Sequence, residues 1–138
     1  MKTLVYVPGC WDVLHTGHLN ILESARELGD ILVVGVESDE LIIAEKGRPP
    51  IMPLSERMTV LKAVKYVDVV IPYHDFDYAY VLCSLDADVF VLNKSHKEKR
   101  HLEAIEFQRD RGRRVVLLPR TKGVSSKDVR KRIGGDSG

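Results

Sequence analysis

The fold of this chain is decided by the stretch LVYVPGCWDVLHTGH, residues 4–18. It begins with the apolar run Leu4–Val7, continues through a turn, and opens a segment of helical spacing that stops at Gly29. This order predicts a strand, a loop and a helix N-terminus, with His15 and His18 at the mouth. The first helical turn has unpaired N–H groups and partial positive charge, and side chains three residues apart share a helix face. The stretch therefore predicts a phosphate-binding turn.

Apolar runs alternate with helical patterns along the whole chain. The runs are continuous and rich in β-branched residues, which is typical of parallel strands covered on both faces. We expect strands at 4–7, 31–36, 67–71, 89–92 and 115–118, and helices at 17–28, about 39–45, 54–65, about 76–84, 98–110 and 126–133. This alternation predicts an α/β fold, a doubly wound parallel sheet of about five strands that binds ligands beyond its carboxyl edge. We expect one domain over residues 1–133 and a short flexible tail over 134–138.

Composition narrows the class of protein. The chain has 138 residues, the size of one ordinary domain, and its 21 basic and 20 acidic residues give a net charge of +1. This near-neutrality argues against a general nucleic-acid or membrane-surface binder. Two distant cysteines do not form a disulfide framework, and the N-terminus lacks the apolar core of a signal peptide. We therefore expect a cytoplasmic protein.

A second anion-binding segment follows the last predicted strand. It reads RTKGVSSKD, residues 120–128, and combines cations with hydroxyl groups. Ser125 and Asp128 have the spacing of a capping box, which predicts a helix start there. Because the carboxyl ends of parallel strands share one edge of a sheet, we expect this helix mouth to face the histidine turn.

The first turn offers further candidates beside its histidines. Gly17 has no Cβ, so a ligand or a neighbouring backbone can approach it closely. Asp12 could hold a magnesium ion or orient a phosphate-binding group, or it could be an ordinary loop or capping acid. Trp11 is more often a core residue than a base-stacking one, and Cys10 is interpreted as a small loop residue because no base is fixed beside it.

The segment KGRPPIMP, residues 46–53, is predicted to be a stiff loop because it holds three prolines and a glycine. Lys46 and Arg48 on this loop, and Arg57 in the next helix, could close on a substrate and neutralise charge in a transition state. They could equally be ordinary surface cations. We interpret His74, His96 and His101 as surface residues, and residues 75–80 as a loop and a helix start.

At these residues the chain resembles the cytidylyltransferase family of nucleotidyltransferases. His15-x-Gly17-His18 is similar to the family's HxGH signature, and Arg120-Thr121-x-Gly123-Val124-Ser125-Ser126 is similar to its RTxGxST-type signature. Intermediate stretches at 28–30, 37–40 and 66–71 also match, so the resemblance covers about residues 3 to 133 in the right order. Among the small members of this family, those that act on glycerol 3-phosphate are the ones that this chain resembles most.

The resemblance implies a Rossmann-like domain, usually a homodimer, that transfers a nucleotidyl group from a nucleoside triphosphate to a phosphorylated acceptor with Mg²⁺ present. It implies no nucleic-acid or membrane partner. CTP is the favoured donor and glycerol 3-phosphate the best candidate acceptor. The implied catalytic residues are His15, His18, Lys46 and Arg120. The implied nucleotide-binding residues are Gly9, Cys10, Trp11, His15, Gly17, His18, Arg120, Thr121, Gly123, Val124, Ser125 and Ser126. The implied acceptor-binding residues are Lys46, Arg48, Arg57 and Asp39, with Asp12 as a possible ligand of the magnesium that accompanies the triphosphate.

Two positions depart from the family pattern. Many relatives carry a Gly-Asp pair after the fourth strand, where this chain reads Leu92-Asn93-Lys94-Ser95-His96. The glycerol phosphate enzymes carry a lysine after the third strand, and residues 75–80 contain none. Two other hypotheses therefore stay open: an adenylyltransferase that uses ATP on a sugar phosphate or flavin, and a nucleotide-binding module without turnover. A dinucleotide-binding oxidoreductase is disfavoured, since no Gly-x-Gly-x-x-Gly follows the first strand.

Overall fold

The computed structural model describes residues 1–121 and 124–134. Five strands and six helices follow one another in the order β1 (Leu4–Gly9), α1 (Thr16–Arg26), β2 (Ile31–Glu37), α2 (Asp39–Lys46), α3 (Leu54–Lys62), β3 (Val69–Tyr73), α4 (Tyr78–Leu85), β4 (Val89–Asn93), α5 (Lys99–Asp110), β5 (Arg114–Leu118) and α6 (Ser126–Arg132). The predicted strands and helices are confirmed, with ends shifted by up to about three residues. Of the predicted tail, only Gly134 lies among the described residues.

All strands pair in parallel, in the order β3-β2-β1-β4-β5. This is the predicted doubly wound, Rossmann-like α/β sheet. Successive side chains of a strand point to opposite faces, and the sheet therefore buries two separate apolar clusters. One contains Val5 and Val7 with Leu22 of α1 and Leu61 of α3. The other contains Tyr6 with side chains from α4 and α5.

The sheet opens between β1 and β4. These strands pair only at Val5–Val89 and Tyr6–Phe90, whereas β1 remains paired with β2 as far as Gly9–Val36. Pro8, which has no backbone N–H to donate, lies just beyond the last β1–β4 pair. The strand order also reverses at this point, since β2 and β4 leave β1 on opposite sides. A crevice at such a switch point is the expected ligand position in open α/β sheets.

Among residues 1–121 and 124–134, no helix combines the length and the apolar character that crossing a membrane would require.

Candidate active site

The two histidines of the first turn form a stacked pair. His15 is the N-cap of α1, and its Nδ1 accepts a hydrogen bond from Gly17 N–H at 3.1 Å. The Nδ1 of His18 accepts from His15 N–H at 3.2 Å. The two ring centroids are 3.8 Å apart. Because each Nδ1 is an acceptor, a neutral ring carries its proton on Nε2 and can donate it to a ligand.

Burial keeps both imidazoles neutral. It lowers the pKa of His18 to about 3, with a further contribution from His15. It also lowers the pKa of His15, assisted by the charges of Arg120 and Arg132. Two neutral hydrogen-bond donors at a helix N-terminus suit a phosphate group, whose charge they stabilise without themselves carrying a charge.

Gly17 is required by the histidine turn itself. A Cβ at this position would lie 2.8 Å from Cε1 of His15 and 3.4 Å from the backbone oxygen of Val124. Gly17 was predicted to allow a ligand or a neighbouring backbone to come close. The groups that come close are the His15 ring and the backbone of the segment that leads into α6.

Trp11 is buried, as a core residue is, with 4% of its surface exposed. Its Nε1 donates to Gly35 O at 2.9 Å, and its ring lies 5.5 Å from that of His18. Trp11 and Val13 have φ angles of 58° and 49°, which non-glycine residues rarely adopt. The indole of Trp11 thus packs against the imidazole of His18. The backbone of this turn is strained, and the surrounding contacts must hold it in place.

Asp12 fixes the proline-rich loop over the site. It is 5% exposed, and its carboxylate oxygens accept from Ile51 N–H at 2.8 Å and Met52 N–H at 2.9 Å. Its backbone oxygen accepts from the Ser126 hydroxyl at 2.6 Å. Asp12 therefore connects the first turn with both the loop and α6.

Arg57 and Asp39 occupy positions that differ from the predicted acceptor-binding ones. Arg57 is 1% exposed, and its guanidinium donates to Cys10 O, Glu37 O and Met52 O, each at 2.8 Å. It also donates to Asp39 Oδ1 at 2.6 Å. Neither residue lines the cavity. We correct their role to positioning: Arg57 is a buried ion-paired anchor for the turns after β1 and β2, because four acceptors converge on it.

The α6 wall forms as the capping box predicts. Ser125 is the N-cap of α6, and its hydroxyl oxygen accepts from Asp128 N–H at 3.1 Å. Thr121 Oγ1 accepts from Asn20 Nδ2 at 2.9 Å, which ties this segment to α1. The predictions made for Lys122 and Gly123 fall outside the described residues.

A cavity of about 360 Å³ lies between the histidine turn, the loop and α6. Most of the predicted site residues line this cavity. They are Gly9, Cys10, Trp11, Asp12, His15, Gly17, His18, Lys46, Arg48, Arg120, Thr121, Val124, Ser125 and Ser126. Burial raises the pKa of the Cys10 thiol, which disfavours a thiolate nucleophile in this cavity.

Sequence reasoning missed Asn93, His96 and Arg130, which also line the cavity. The interpretation of His96 and His101 as surface residues is wrong: His101 is 3% exposed, and the two rings stack with centroids 4.5 Å apart. The sequence did contain a signal for this wall: Asn93 ends β4 and His96 follows three residues later, at the ligand-binding edge of the sheet.

Within the part of the chain that the structure describes, no three or more His, Cys, Asp and Glu side chains form a cluster that could hold a metal ion. Mg²⁺ commonly combines one or two protein carboxylates with substrate phosphates. Asp12 is the carboxylate of the cavity wall that could contribute.

Known proteins share both the sequence pattern and the fold. The chain is 42% identical over 139 residues to ethanolamine-phosphate cytidylyltransferase of Arabidopsis thaliana, covering 91% of this chain and 31% of that one. It is 33% identical to glycerol-3-phosphate cytidylyltransferase of Bacillus subtilis, covering 97% of this chain and 98% of that one. The crystal structure of the lipopolysaccharide core biosynthesis protein from Thermoplasma volcanium matches with a TM-score of 0.73 and 26% identity, over 90% of this chain and 100% of that one.

The share covered differs among these relatives, since the chain spans about a third of the Arabidopsis protein and nearly all of the Bacillus protein. The family described as cytidylyltransferase-like matches residues 6–132, which include the histidine turn, the loop and α6. The resemblance predicted from the two motifs is confirmed, and this chain belongs to the cytidylyltransferase-like family.

Proposed function

We propose that this protein transfers CMP from CTP to a phosphorylated small alcohol, giving a CDP-alcohol and pyrophosphate. Glycerol 3-phosphate is the best candidate acceptor. The observation that carries the proposal is the stacked pair of neutral imidazoles, His15 and His18, which lines a cavity at the sheet's switch point together with Arg120. Both rings use Nδ1 within the turn, which leaves Nε2–H for a phosphate oxygen.

The reaction is an in-line displacement at the α-phosphorus. An oxygen of the acceptor phosphate forms a bond to the α-phosphorus, the bond to the oxygen that bridges to the β-phosphorus breaks, and pyrophosphate leaves with that electron pair. Two anions must meet, so catalysis is mainly positioning and neutralisation of charge. His15 and His18 donate to oxygens of the α-phosphate, while Lys46 and Arg120 neutralise charge on the phosphates. The protonated Cys10 thiol is consistent with a route without a covalent enzyme intermediate.

A magnesium ion, when bound with the triphosphate, would supply further neutralisation of phosphate charge. Asp12 would assist this ion by ordering the loop beside it, since its two carboxylate oxygens accept from Ile51 N–H and Met52 N–H.

The acceptor side of the proposal rests on the proline-rich loop. Lys46 and Arg48 line the cavity from this loop, and a phosphate held between cations is a common arrangement. The relatives support a phosphorylated alcohol, because the two cytidylyltransferases named above act, by their names, on glycerol 3-phosphate and ethanolamine phosphate. A homodimer and a cytoplasmic location complete the proposal.

Pyrophosphate release tests the function directly. The full chain is incubated with CTP, ATP, GTP or UTP and Mg²⁺, against glycerol 3-phosphate, phosphoethanolamine, sugar phosphates and flavin mononucleotide. We expect turnover with CTP and a phosphorylated alcohol, and its loss on chelation of Mg²⁺. Turnover with ATP alone would show an adenylyltransferase instead. Calorimetric binding of a triphosphate without pyrophosphate from any acceptor would show a nucleotide-binding module.

A further inference from the structure

The turn after β4 forms the wall of the cavity that no motif predicted. Lys94 N–H donates to Leu118 O at 2.9 Å, so this turn lies beside the end of β5 and the segment that carries Arg120. Arg120 is close enough to contribute to the lowered pKa of His96. The side chains of Asn93 and His96 therefore lie next to the nucleotide-binding wall.

The amide of Asn93 has a defined orientation. Its Oδ1 accepts from Ser95 N–H at 2.7 Å and also from the Ser95 hydroxyl. A backbone N–H can only donate, and the carbonyl end of the amide must therefore face Ser95. The Nδ2 group, with two hydrogens, has no acceptor among residues 1–121 and 124–134, and its side chain lines the cavity.

The imidazole of His96 is also a donor on its free side. Its Nδ1 accepts from Asn93 N–H at 3.2 Å, which puts the proton of the neutral ring on Nε2. Burial and the charge of Arg100 lower the pKa of His96, which favours that neutral ring. The ring stacks on His101, and His101 in turn stacks on Tyr78 with centroids 6.0 Å apart.

Asn93 and His96 thus offer two donors from one cavity wall, and a pair of donors complements only some nucleobases. Cytosine presents two neighbouring acceptors, O2 and N3, on its Watson–Crick edge. Uracil presents N3–H at the corresponding place, guanine presents N1–H and an amino group, and adenine presents the single acceptor N1 beside a C–H. A donor facing N–H leaves buried polar groups unpaired, and sites built on such hydrogen bonds discriminate strongly.

We propose that Asn93 Nδ2 and His96 Nε2 read the O2 and N3 acceptors of cytosine and make this protein selective for CTP. This inference deepens the proposed function and rests on it for the orientation of the nucleotide.

Calorimetry on the full chain with Mg²⁺ and each triphosphate tests the inference without requiring turnover. We expect CTP to bind at least about tenfold more tightly than UTP or ATP. Asn93→Asp removes the amide donor and can accept from uracil N3–H, and His96→Phe keeps the stacked ring but removes Nε2–H. Each should lower the CTP-to-UTP affinity ratio by about 10- to 100-fold. Lys94→Ala, an exposed neighbour outside the cavity lining, should leave the ratio unchanged.

A modified nucleotide gives the same answer on the unaltered protein, in case a variant does not fold. The triphosphate of 3-deazacytidine lacks the N3 acceptor and should bind about 10- to 100-fold more weakly than CTP.

The inference is overturned by equal affinity for CTP and UTP, by unchanged CTP-to-UTP affinity ratios in both variants, or by variants that raise only the KM of the acceptor in the pyrophosphate-release assay. Selective CTP binding without pyrophosphate release supports base recognition and refutes the proposed transfer. Turnover with ATP alone refutes the base recognition and leaves nucleotidyl transfer standing.

Discussion

The turn after β1 and the turn after β4 use the same histidine geometry, but they are held in different ways. In each, a histidine Nδ1 accepts from the backbone N–H three residues earlier, at 3.2 Å for both His18 and His96. In each, the ring stacks on a second imidazole. The side-chain hydrogen bonds that hold the first turn come from remote parts of the chain, whereas those that close the second turn come from its own residues, Asn93, Ser95 and His96.

The remote contacts of the first turn compensate for its backbone. Two non-glycine residues with positive φ cost of order 1–3 kcal/mol each, and such strain persists only where the surroundings hold it. The surroundings here are the Trp11 bond to Gly35, the clamp of Asp12 on the loop, and the buried Arg57. Mutations of these anchors should therefore damage the first turn and spare the second.

The largest expected effect is the loss of the Arg57 anchor. Arg57→Met leaves three carbonyl oxygens without their donor and Asp39 without its ion-pair partner. Breaking a buried ion pair costs about 3–5 kcal/mol, and the 33% exposure of the Asp39 side chain puts this pair at the lower end, about 3 kcal/mol. The free energy of unfolding, measured with urea, should fall by about that amount. Arg109→Met removes the same charge from an exposed position of α5 and should change little. Equal unfolding midpoints for Arg57→Met and the unaltered protein would show that the first turn does not depend on this anchor.

The next effect concerns chemistry at the first turn. His18→Ala removes a donor aimed at developing phosphate charge, which should lower kcat by about 10²- to 10³-fold, or ~2.7–4 kcal/mol. The thermal unfolding temperature should remain close to that of the unaltered protein. His74→Ala, at an exposed histidine outside the cavity lining, is the matched control. Near-normal turnover in His18→Ala would remove the catalytic role from this turn.

A smaller effect is expected at the link between the first turn and the loop. Asp12→Asn keeps the shape of the side chain but can accept through one oxygen instead of two, a loss of about 1 kcal/mol. Local opening of the loop should then be about fivefold more frequent, and trypsin should cleave after Lys46 faster by that factor. Cleavage at the rate of the unaltered protein would show that Asp12 does not restrain the loop.

The last prediction concerns pH and the end of β2, where Glu37 lies next to the first turn's anchor Arg57. Burial and the nearby Glu45 raise the pKa of Glu37 to about 7 from the usual 4.5. A carboxyl whose pKa is raised on folding stabilises the protein fully below the unfolded value, and this contribution is lost as pH rises from about 4.5 to 7. Glu37→Gln cannot ionise, so its unfolding temperature should gain on that of the unaltered protein over this range. Exposed Glu40→Gln should show a constant difference, and a constant difference for Glu37→Gln as well would contradict the raised pKa.

The comparison of the two turns also shows which features of the structure can be predicted from the sequence. The apolar runs predict every strand. The three central strands are continuously apolar because they are buried on both faces, and the edge strands β3 and β5 keep the same pattern although they are partly exposed. The His15–His18 spacing and the Ser125–Asp128 capping box predict local geometry that depends only on neighbours in the chain. These features were therefore accessible from pattern alone.

The features that pattern misses are made by distant parts of the chain. Arg57 resembles a surface cation because arginines are rarely buried unless paired, and its acceptors come from residues 10, 37, 39 and 52. His96 and His101 resemble exposed helix-start residues until Tyr78, from a different helix, completes their stack. Burial of polar residues is decided by tertiary partners, which spacing does not reveal.

The contact between Trp11 and His18 also provides an optical probe. Trp11 is the single tryptophan of the chain, and its indole lies 5.5 Å from the imidazole of the turn after β1. Indole emission responds to charge and polarity in its immediate surroundings. The intrinsic fluorescence of the unlabelled protein should therefore change when a triphosphate reaches His18, and stopped-flow mixing can time that arrival separately from the chemical step.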